Sequence, residues 1–529
     1  MSEAVAALPA KQVYVPPEVN PWFIALTVTL ATFMEVLDTS IANVSLPHIA
    51  GGLAAGVDES TWILTSYLVS NAIVLPMSGW FSSMIGRKRF YMSCVALFTI
   101  SSFLCGLAPN LATLILFRVL QGVGGGGLQP SEQSILADTF APEKRGMAFA
   151  VYGMAVVVAP AIGPTLGGFI TDNYSWRWIF YINIPVGIIS LLLTSRVIKD
   201  PPHLSGARRE GGIKIDYIGL SLLAIGLGAL QVVLDKGQRE DWLESHMILI
   251  LSVVSAAALL AVVFWEWRTE HPIIDLRLFR DRSFAIGNSM MFMLGFILLG
   301  TTLLLPLFTQ TMLGYSAEKA GIALMPGGLV ILASMPIVGF MLSRYDPRRI
   351  MVFGLTMLTA ALFYMSHFNL YIDFQTAATA RVIQGMGLAC LFVPINTVAY
   401  SYLPPAKNNA ASGLINLARN VGGSVGISFV TTMLARREQF HRVQLSAHLN
   451  PANPRVQQML RGASGALRAG SGSGATRQAY GLLQRMLERQ STMLSYIDNF
   501  HMLAIVSMCM IPFVFLIRKP RRRGGVMAH

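Results

Sequence analysis

Arg118-Val119-Leu120-Gln121-Gly122-Val123-Gly124 recurs as Arg381-Val382-Ile383-Gln384-Gly385-Met386-Gly387, 263 residues further along the chain. The same register carries more matches: Pro142 and Lys144 return as Pro405 and Lys407, and Gly163 returns as Gly426. Agreement in one register over about 45 residues implies a duplication rather than chance. Each copy lies inside a long apolar run, so the duplicated unit is a membrane-embedded helical one.

Working outward, fourteen apolar segments of roughly 19 to 28 residues can cross a hydrocarbon core about 30 Å thick. They are expected at 22–46, 60–83, 89–108, 111–138, 145–171, 177–197, 216–234, 245–266, 284–311, 318–343, 349–367, 373–403, 408–435 and 495–517. Eight spans separate corresponding helices of the two copies. That is an even number, so the copies are parallel. The expected fold is an all-α polytopic membrane protein of two parallel six-helix bundles plus an inserted two-helix hairpin. The expected divisions are a tail at 1–21, a first bundle at 22–197, linkers and hairpin at 198–283 (hairpin 216–266), a second bundle at 284–517 and a basic tail at 518–529. A long loop, 436–494, lies inside the second bundle.

Composition agrees. Of 529 residues, 53% are hydrophobic and 13% charged, against about 25% charged in soluble proteins. No cleavable leader is evident in the polar stretch 1–20, so the first span is expected to act as the membrane address. The net charge of +13 does not read as nucleic-acid binding, because the cations sit in short loops at helix ends. Arg87, Lys88 and Arg89 follow span two, and Lys144 and Arg145 follow span four. Arg196, Lys199, Arg208, Arg209 and Lys214 follow span six; Arg268, Arg277, Arg280 and Arg282 follow span eight; Arg344, Arg348 and Arg349 follow span ten. The tail adds Arg518, Lys519 and Arg521 to Arg523. This bias places both termini in the cytoplasm.

Loop 436–494 faces outward in this topology although it carries nine arginines. It approaches the length at which the charge rule weakens. Short amphipathic helices are expected at Val456–Leu460 and Tyr480–Met493, between breakers at 450–454 and 470–475. The four cysteines lie in apolar segments without a CxxC pair, so neither a disulfide framework nor a metal site is expected.

At this point the residues resemble a known family. Duplicated six-helix bundles with an Arg-x-x-Gln-Gly helix resemble the major facilitator superfamily. Leu37-Asp38-Thr39-Ser40-Ile41-Ala42-Asn43-Val44-Ser45-Leu46-Pro47 resembles the first-span motif of its fourteen-spanner drug:proton antiporters. Gly163-Pro164-Thr165-Leu166-Gly167-Gly168 resembles their span-five antiporter motif, and Trp176-Arg177-Trp178-Ile179-Phe180-Tyr181-Ile182-Asn183-Ile184-Pro185 the same branch. Nearly the whole chain resembles the EmrB type of multidrug exporter. That resemblance implies proton-coupled efflux from a bacterial inner membrane, with a periplasmic membrane-fusion partner and an outer-membrane channel. The outward loop is then a candidate contact surface for the partner, with a plain solvated excursion as the alternative.

Two departures stand out. The cytoplasmic gate motif reads Gly79-Trp80-Phe81-Ser82-Ser83-Met84-Ile85-Gly86-Arg87-Lys88. Ser83 replaces the family's acid, so the usual charge latch is expected to lack its acidic half. Glu35 stands where a neutral residue is expected.

Glu35 and Asp38, spaced i, i+3, share one face of a helix. A charge inside the bilayer is costly and marks an ion, proton or substrate path. The two carboxyls are expected to titrate as a coupled pair and to carry protons. Arg118 is the expected counter-charge. At about 1.5 Å rise per residue, Asp38 and Arg118 lie roughly 12 and 10 Å from the outer ends of spans one and four. Thr39, Asn43, Asn71, Gln129, Glu132, Asn288, Asn396, Asn416 and Arg419 are the expected cavity residues, with Glu132 near enough to the cytoplasmic end to reach solvent. Gly163, Pro164, Gly167 and Gly168 allow close helix approach and a bend. The run Gly124 to Gly127 reads as packing, since no phosphate-loop motif accompanies it. No cofactor is expected, and a proton gradient supplies the energy. Export of an endogenous metabolite, such as a fatty acid or siderophore, is the alternative. A membrane enzyme or receptor is the remote one, since no metal-spaced His cluster or nucleophile elbow occurs.

Overall fold

A computed structural model describes residues 19–141, 143–200, 216–269, 272–401, 403–404, 407–450, 453–471 and 475–518. Most of both tails, Pro142, Pro405, Arg208, Arg209 and Lys214 lie outside these residues. Among the described residues all regular structure is helical.

The long helices are α1 (Pro21–Gly52), α2 (Trp62–Ile85), α3 (Arg87–Leu107), α4 (Leu111–Thr139), α5 (Arg145–Asn173), α6 (Trp178–Val197), α7 (Tyr217–Lys236) and α8 (His246–Arg268). They continue as α9 (Arg282–Thr311), α10 (Ala317–Arg344), α11 (Pro347–Met365), α12 (Phe374–Tyr400), α13 (Asn408–Ala447), α14 (Pro454–Ser471) and α15 (Ala475–Cys509). The sequence states many of the starts. Asn110, Asp216, Asp281, Ser316, Asp346 and Asp373 each accept a hydrogen bond from a backbone N–H of the helix they precede, satisfying a donor that would otherwise be unpaired.

Counting the bent α5 as one, up to 13 helices among the described residues are long and apolar enough to cross a membrane. The segment expected as span thirteen, α13, falls outside that count. Ser412, Asn416 and Arg419 lower its hydropathy, and all three are buried against other helices instead of facing lipid. By contrast α8 exposes Ile250, Val253, Leu260, Val263 and Phe264.

The helix contacts repeat as the sequence does. α1 packs on α5, and α9 on α13. α2 and α3 pack on α4 as α10 and α11 pack on α12, and α3 meets α6 as α11 meets α15. The two halves join where α5 meets α10 and α2 meets α13, and the α7–α8 pair leans on α2. The run Gly124 to Gly127 is a packing surface: a Cβ on Gly124 would lie 2.6 Å from the Phe98 nitrogen, and one on Gly126 2.7 Å from the Asn71 carbonyl.

The loop 436–494 differs from expectation. Its two short helices are parts of longer ones: α14 holds the first near its start, and the second belongs to α15, which runs on into the last apolar segment. α13 also extends past its apolar part. Arg437 (2.5 Å) and His441 (2.8 Å) of α13 both bond Asp498 of α15, which ties the two extensions together.

Candidate functional site

Asp38 and Glu35 project from α1 into the interior and are 2% and 4% exposed. Asp38 meets Arg118, as their matched depths suggest: Nη1 of Arg118 donates to its carboxylate at 2.6 Å. The other Asp38 oxygen accepts from Gln121 at 3.0 Å and Asn183 at 2.7 Å. Arg118 is completely buried. It also donates to the Ile63 backbone carbonyl (3.2 Å) and to Oε1 of the Gln121 side chain (2.7 Å), and it lies over the Tyr67 ring at 4.4 Å. A buried charge pair is stable only when its remaining lone pairs and protons are also satisfied, and Gln121, Asn183 and Ile63 provide much of that.

Glu35 heads a second network. It accepts from Gln129 Nε2 at 2.5 Å, Tyr67 Oη at 3.2 Å and Asn71 Nδ2 at 3.3 Å. The Gln129 amide oxygen accepts in turn from Arg419 of α13 and from Tyr152 Oη at 3.1 Å. Arg419 also donates to Tyr152 Oη at 2.9 Å. One glutamine side chain thus stands between a carboxylate of the first half and a guanidinium of the second. Tyr67 links the two networks, its hydroxyl on Glu35 and its ring on Arg118.

The halves are stitched by further bonds from the second part of α4. Asn416 donates to Gln133 at 2.9 Å, Tyr400 Oη to Gln133 at 3.1 Å, Ser134 and Ser412 share a bond of 2.8 Å, and Asn408 donates to Asp138 at 2.7 Å. Asp138 also pairs with Arg87 at 2.7 Å. This corrects the expectation that the gate lacks an acid. Position 83 is a serine, but Asp138 at the end of α4 faces Arg87 and reaches across to α13. Lys88 donates to the Ser195 carbonyl at 2.6 Å. Gly86 closes α2 at φ +93°, in the left-handed region that favours glycine. Gly79 permits the closest approach here: a Cβ on it would lie 2.9 Å from the Ala410 backbone.

α5 bends by 41° at residues 160–162. Pro164 has no N–H for the carbonyl of residue 160, four positions earlier, and its ring crowds that carbonyl. The Ser40 hydroxyl of α1 donates to the freed Pro160 oxygen at 3.3 Å. Gly163 and Gly167 face α1, where side chains would meet Ser40 and Ile41, whereas Gly168 faces open space.

Other expected residues stand apart. Thr39 bonds its own helix at Val36, and Asn43 is exposed on another side of α1, as five residues of helix rotation dictate. Glu132 does not reach solvent: it is fully buried and accepts from Thr29 at 2.5 Å. Asn396 donates within α12, and buried Asn288 joins neither network. Tyr152, Gln133, Asn183 and Asp138 are site members that sequence reasoning did not single out. Asn183 lay inside a quoted motif, but nothing local marked the other three.

Residues 28–427 match the profile of the Major Facilitator Superfamily. The multidrug export protein EmrB of Escherichia coli strain K12 is 38% identical over 502 residues, covering 94% of this chain and 96% of that protein. The fatty acid resistance protein FarB of Neisseria gonorrhoeae is 36% identical over 504 residues, covering 95% and 97%. The solved proton:xylose symporter XylE is 14% identical with a TM-score of 0.58, covering 93% of this chain and 96% of that one, a likeness that speaks to the fold.

Proposed function

The chain belongs to the major facilitator superfamily, in its EmrB-type multidrug efflux branch, and from that premise we propose that it exports amphipathic drugs or toxic organic compounds in exchange for protons by alternating access. It is a transporter rather than an enzyme. The observation that carries the proton-coupled reading is the placement of two buried carboxylates, Asp38 against Arg118 and Glu35 against Gln129, the latter one amide away from Arg419 of the opposite half.

The chemistry follows from charge. An ionised acceptor holds a hydrogen bond about twice as strongly as a neutral one. When Glu35 takes a proton, Gln129 loses its charged partner, and its hold on Arg419 loosens. When Asp38 takes a proton, Arg118 loses its counter-ion. The first event weakens a contact between the two halves, and the second loosens α1 against α4 within the first half. Arg87, Asp138 and Asn408 then form the gate at the opposite end, with Gly79 as its contact point. Asn71, Asn416 and the antiporter glycines 163, 167 and 168 support substrate passage and helix flexing. The divisions at 22–197, 216–266 and 284–517 are the moving units.

Reconstituted protein is expected to accumulate a dye-like organic cation or a neutral drug only when a proton gradient is imposed. Equal transport with the gradient collapsed by an ionophore would refute proton coupling. FarB's name favours the second reading, export of a fatty acid by the same mechanism, and the same assay with labelled fatty acid tests it.

We further propose an inner-membrane location with both termini cytoplasmic, and a tripartite assembly with a periplasmic membrane-fusion protein and an outer-membrane channel. Support comes from the α13 and α15 extensions clasped at Asp498, which present a stiff helical platform with α14 amphipathic beside it. Deleting 450–490 is expected to lower efflux from whole cells at least several-fold more than transport by the isolated protein. Equal losses in both would indicate a folding defect instead.

A further inference from the structure

The duplication extends into the charge network, and there the two halves differ. Asp38, Arg118 and Gln121 correspond, at the 263-residue offset, to Thr301, Arg381 and Gln384. Two bonds are reproduced. Arg381 Nη1 donates to Gln384 Oε1 at 2.6 Å as Arg118 does to Gln121 at 2.7 Å, and Gln384 Nε2 donates to Thr301 Oγ1 at 2.7 Å as Gln121 does to Asp38 at 3.0 Å. The carboxylate is missing. The Thr301 hydroxyl spends its hydrogen on the Ile297 carbonyl at 2.7 Å, so it offers the guanidinium no charge.

Arg381 is therefore a buried cation without a carboxylate partner among the described residues. Its Nε is buried and has no hydrogen-bond partner. Its other acids have gone too: the offset positions of Glu35 and Glu132 are Leu298 and Ile395. A lone charge at this depth is costly and is retained where it has a use. Unlike Arg118, which is fully enclosed, Arg381 keeps 7% of its surface exposed. A guanidinium's donors match a carboxylate in geometry and charge.

We propose that Arg381, with Gln384 and Thr301, is an anion subsite that takes the carboxylate of an amphipathic acid, the substrate supplying the counter-ion that Asp38 supplies in the other half. This goes beyond the proton-coupled reading, because it is a statement about ligand selection. It is tested by equilibrium binding with no gradient present.

The test uses full-length protein in phosphatidylcholine nanodiscs, which carry no anionic lipid headgroup. The ligands are labelled dodecanoate and, separately, labelled dodecyltrimethylammonium. Thr301→Asp installs the missing counter-ion, and Arg381→Gln removes the cation. Each is expected to weaken dodecanoate binding at least tenfold while leaving the ammonium ligand within about twofold. Thr301→Ser, which preserves the acceptor, should bind dodecanoate as the unaltered protein does. Unchanged dodecanoate binding in Thr301→Asp and Arg381→Gln would overturn the proposal. So would equal loss of both ligands, which would report a collapsed bundle, or displacement of dodecanoate by equimolar chloride, which would mark an unselective anion site. If binding behaves as expected yet the unaltered protein does not transport under a gradient, the anion subsite stands and the antiport reading fails.

Discussion

Asp38→Asn is expected to abolish gradient-driven exchange, with a loss on the order of 100-fold, the upper range of a coupling free energy of about 1–3 kcal/mol. Asparagine keeps the shape of the side chain and loses both the proton site and the counter-charge. Arg118 donates to that carboxylate at 2.6 Å and is fully buried. Removing one partner of such a pair leaves an uncompensated charge and costs about 3–5 kcal/mol. The variant must therefore be compared at matched expression and with its melting temperature recorded. Asp38→Glu, which keeps an acid, separates the two effects: it should retain measurable exchange even if its stability falls similarly. Wild-type exchange by a folded Asp38→Asn protein would remove Asp38 from the coupling path.

The second large effect is expected at the gate. Gly79→Val drives a branched side chain toward the Ala410 backbone, which already lies 2.9 Å from where a Cβ would stand. Overpacking of this kind costs about 1–3 kcal/mol, enough to depopulate a closed gate roughly 5- to 150-fold. The strain falls only on states in which α2 and α13 touch, so the open state is favoured and alternation stalls. Exchange should fall at least about tenfold, and amide hydrogen exchange should rise across 134–138 and 408–412, the segments joined by Ser134–Ser412 and Asp138–Asn408. Normal transport together with normal protection would show that the Gly79 contact does not limit closure.

How much of this was legible beforehand depends on the range of the interaction. The helix starts were, because a cap such as Asp281 acts on an N–H three residues away. The Asp38–Arg118 contact was too, since matched depth on antiparallel helices limits the candidates. Glu132 was misjudged because depth along α4 says nothing about which neighbours cover it; α1 does, through Thr29. Asp138 went unremarked because a helix-end acid next to solvent looks ordinary until Arg87 and Asn408 are brought to it. The bend in α5 was foreseen, but its position follows from the carbonyl that Pro164 strands four residues back, where Ser40 of another helix waits.

By itself the sequence determined that this chain is duplicated, helical and membrane-embedded, and that acids lie in its first helix. Those are properties of period, hydropathy and register, written in neighbours along the chain. Which partner each buried charge faces was decided only by tertiary structure. A side chain's direction around its helix axis sets its contacts, and that direction has meaning only after the other helices have packed. So the amide that joins Glu35 to Arg419, and the second-half guanidinium left without an acid among the described residues, emerge only when residues hundreds of positions apart are brought into one low-dielectric interior.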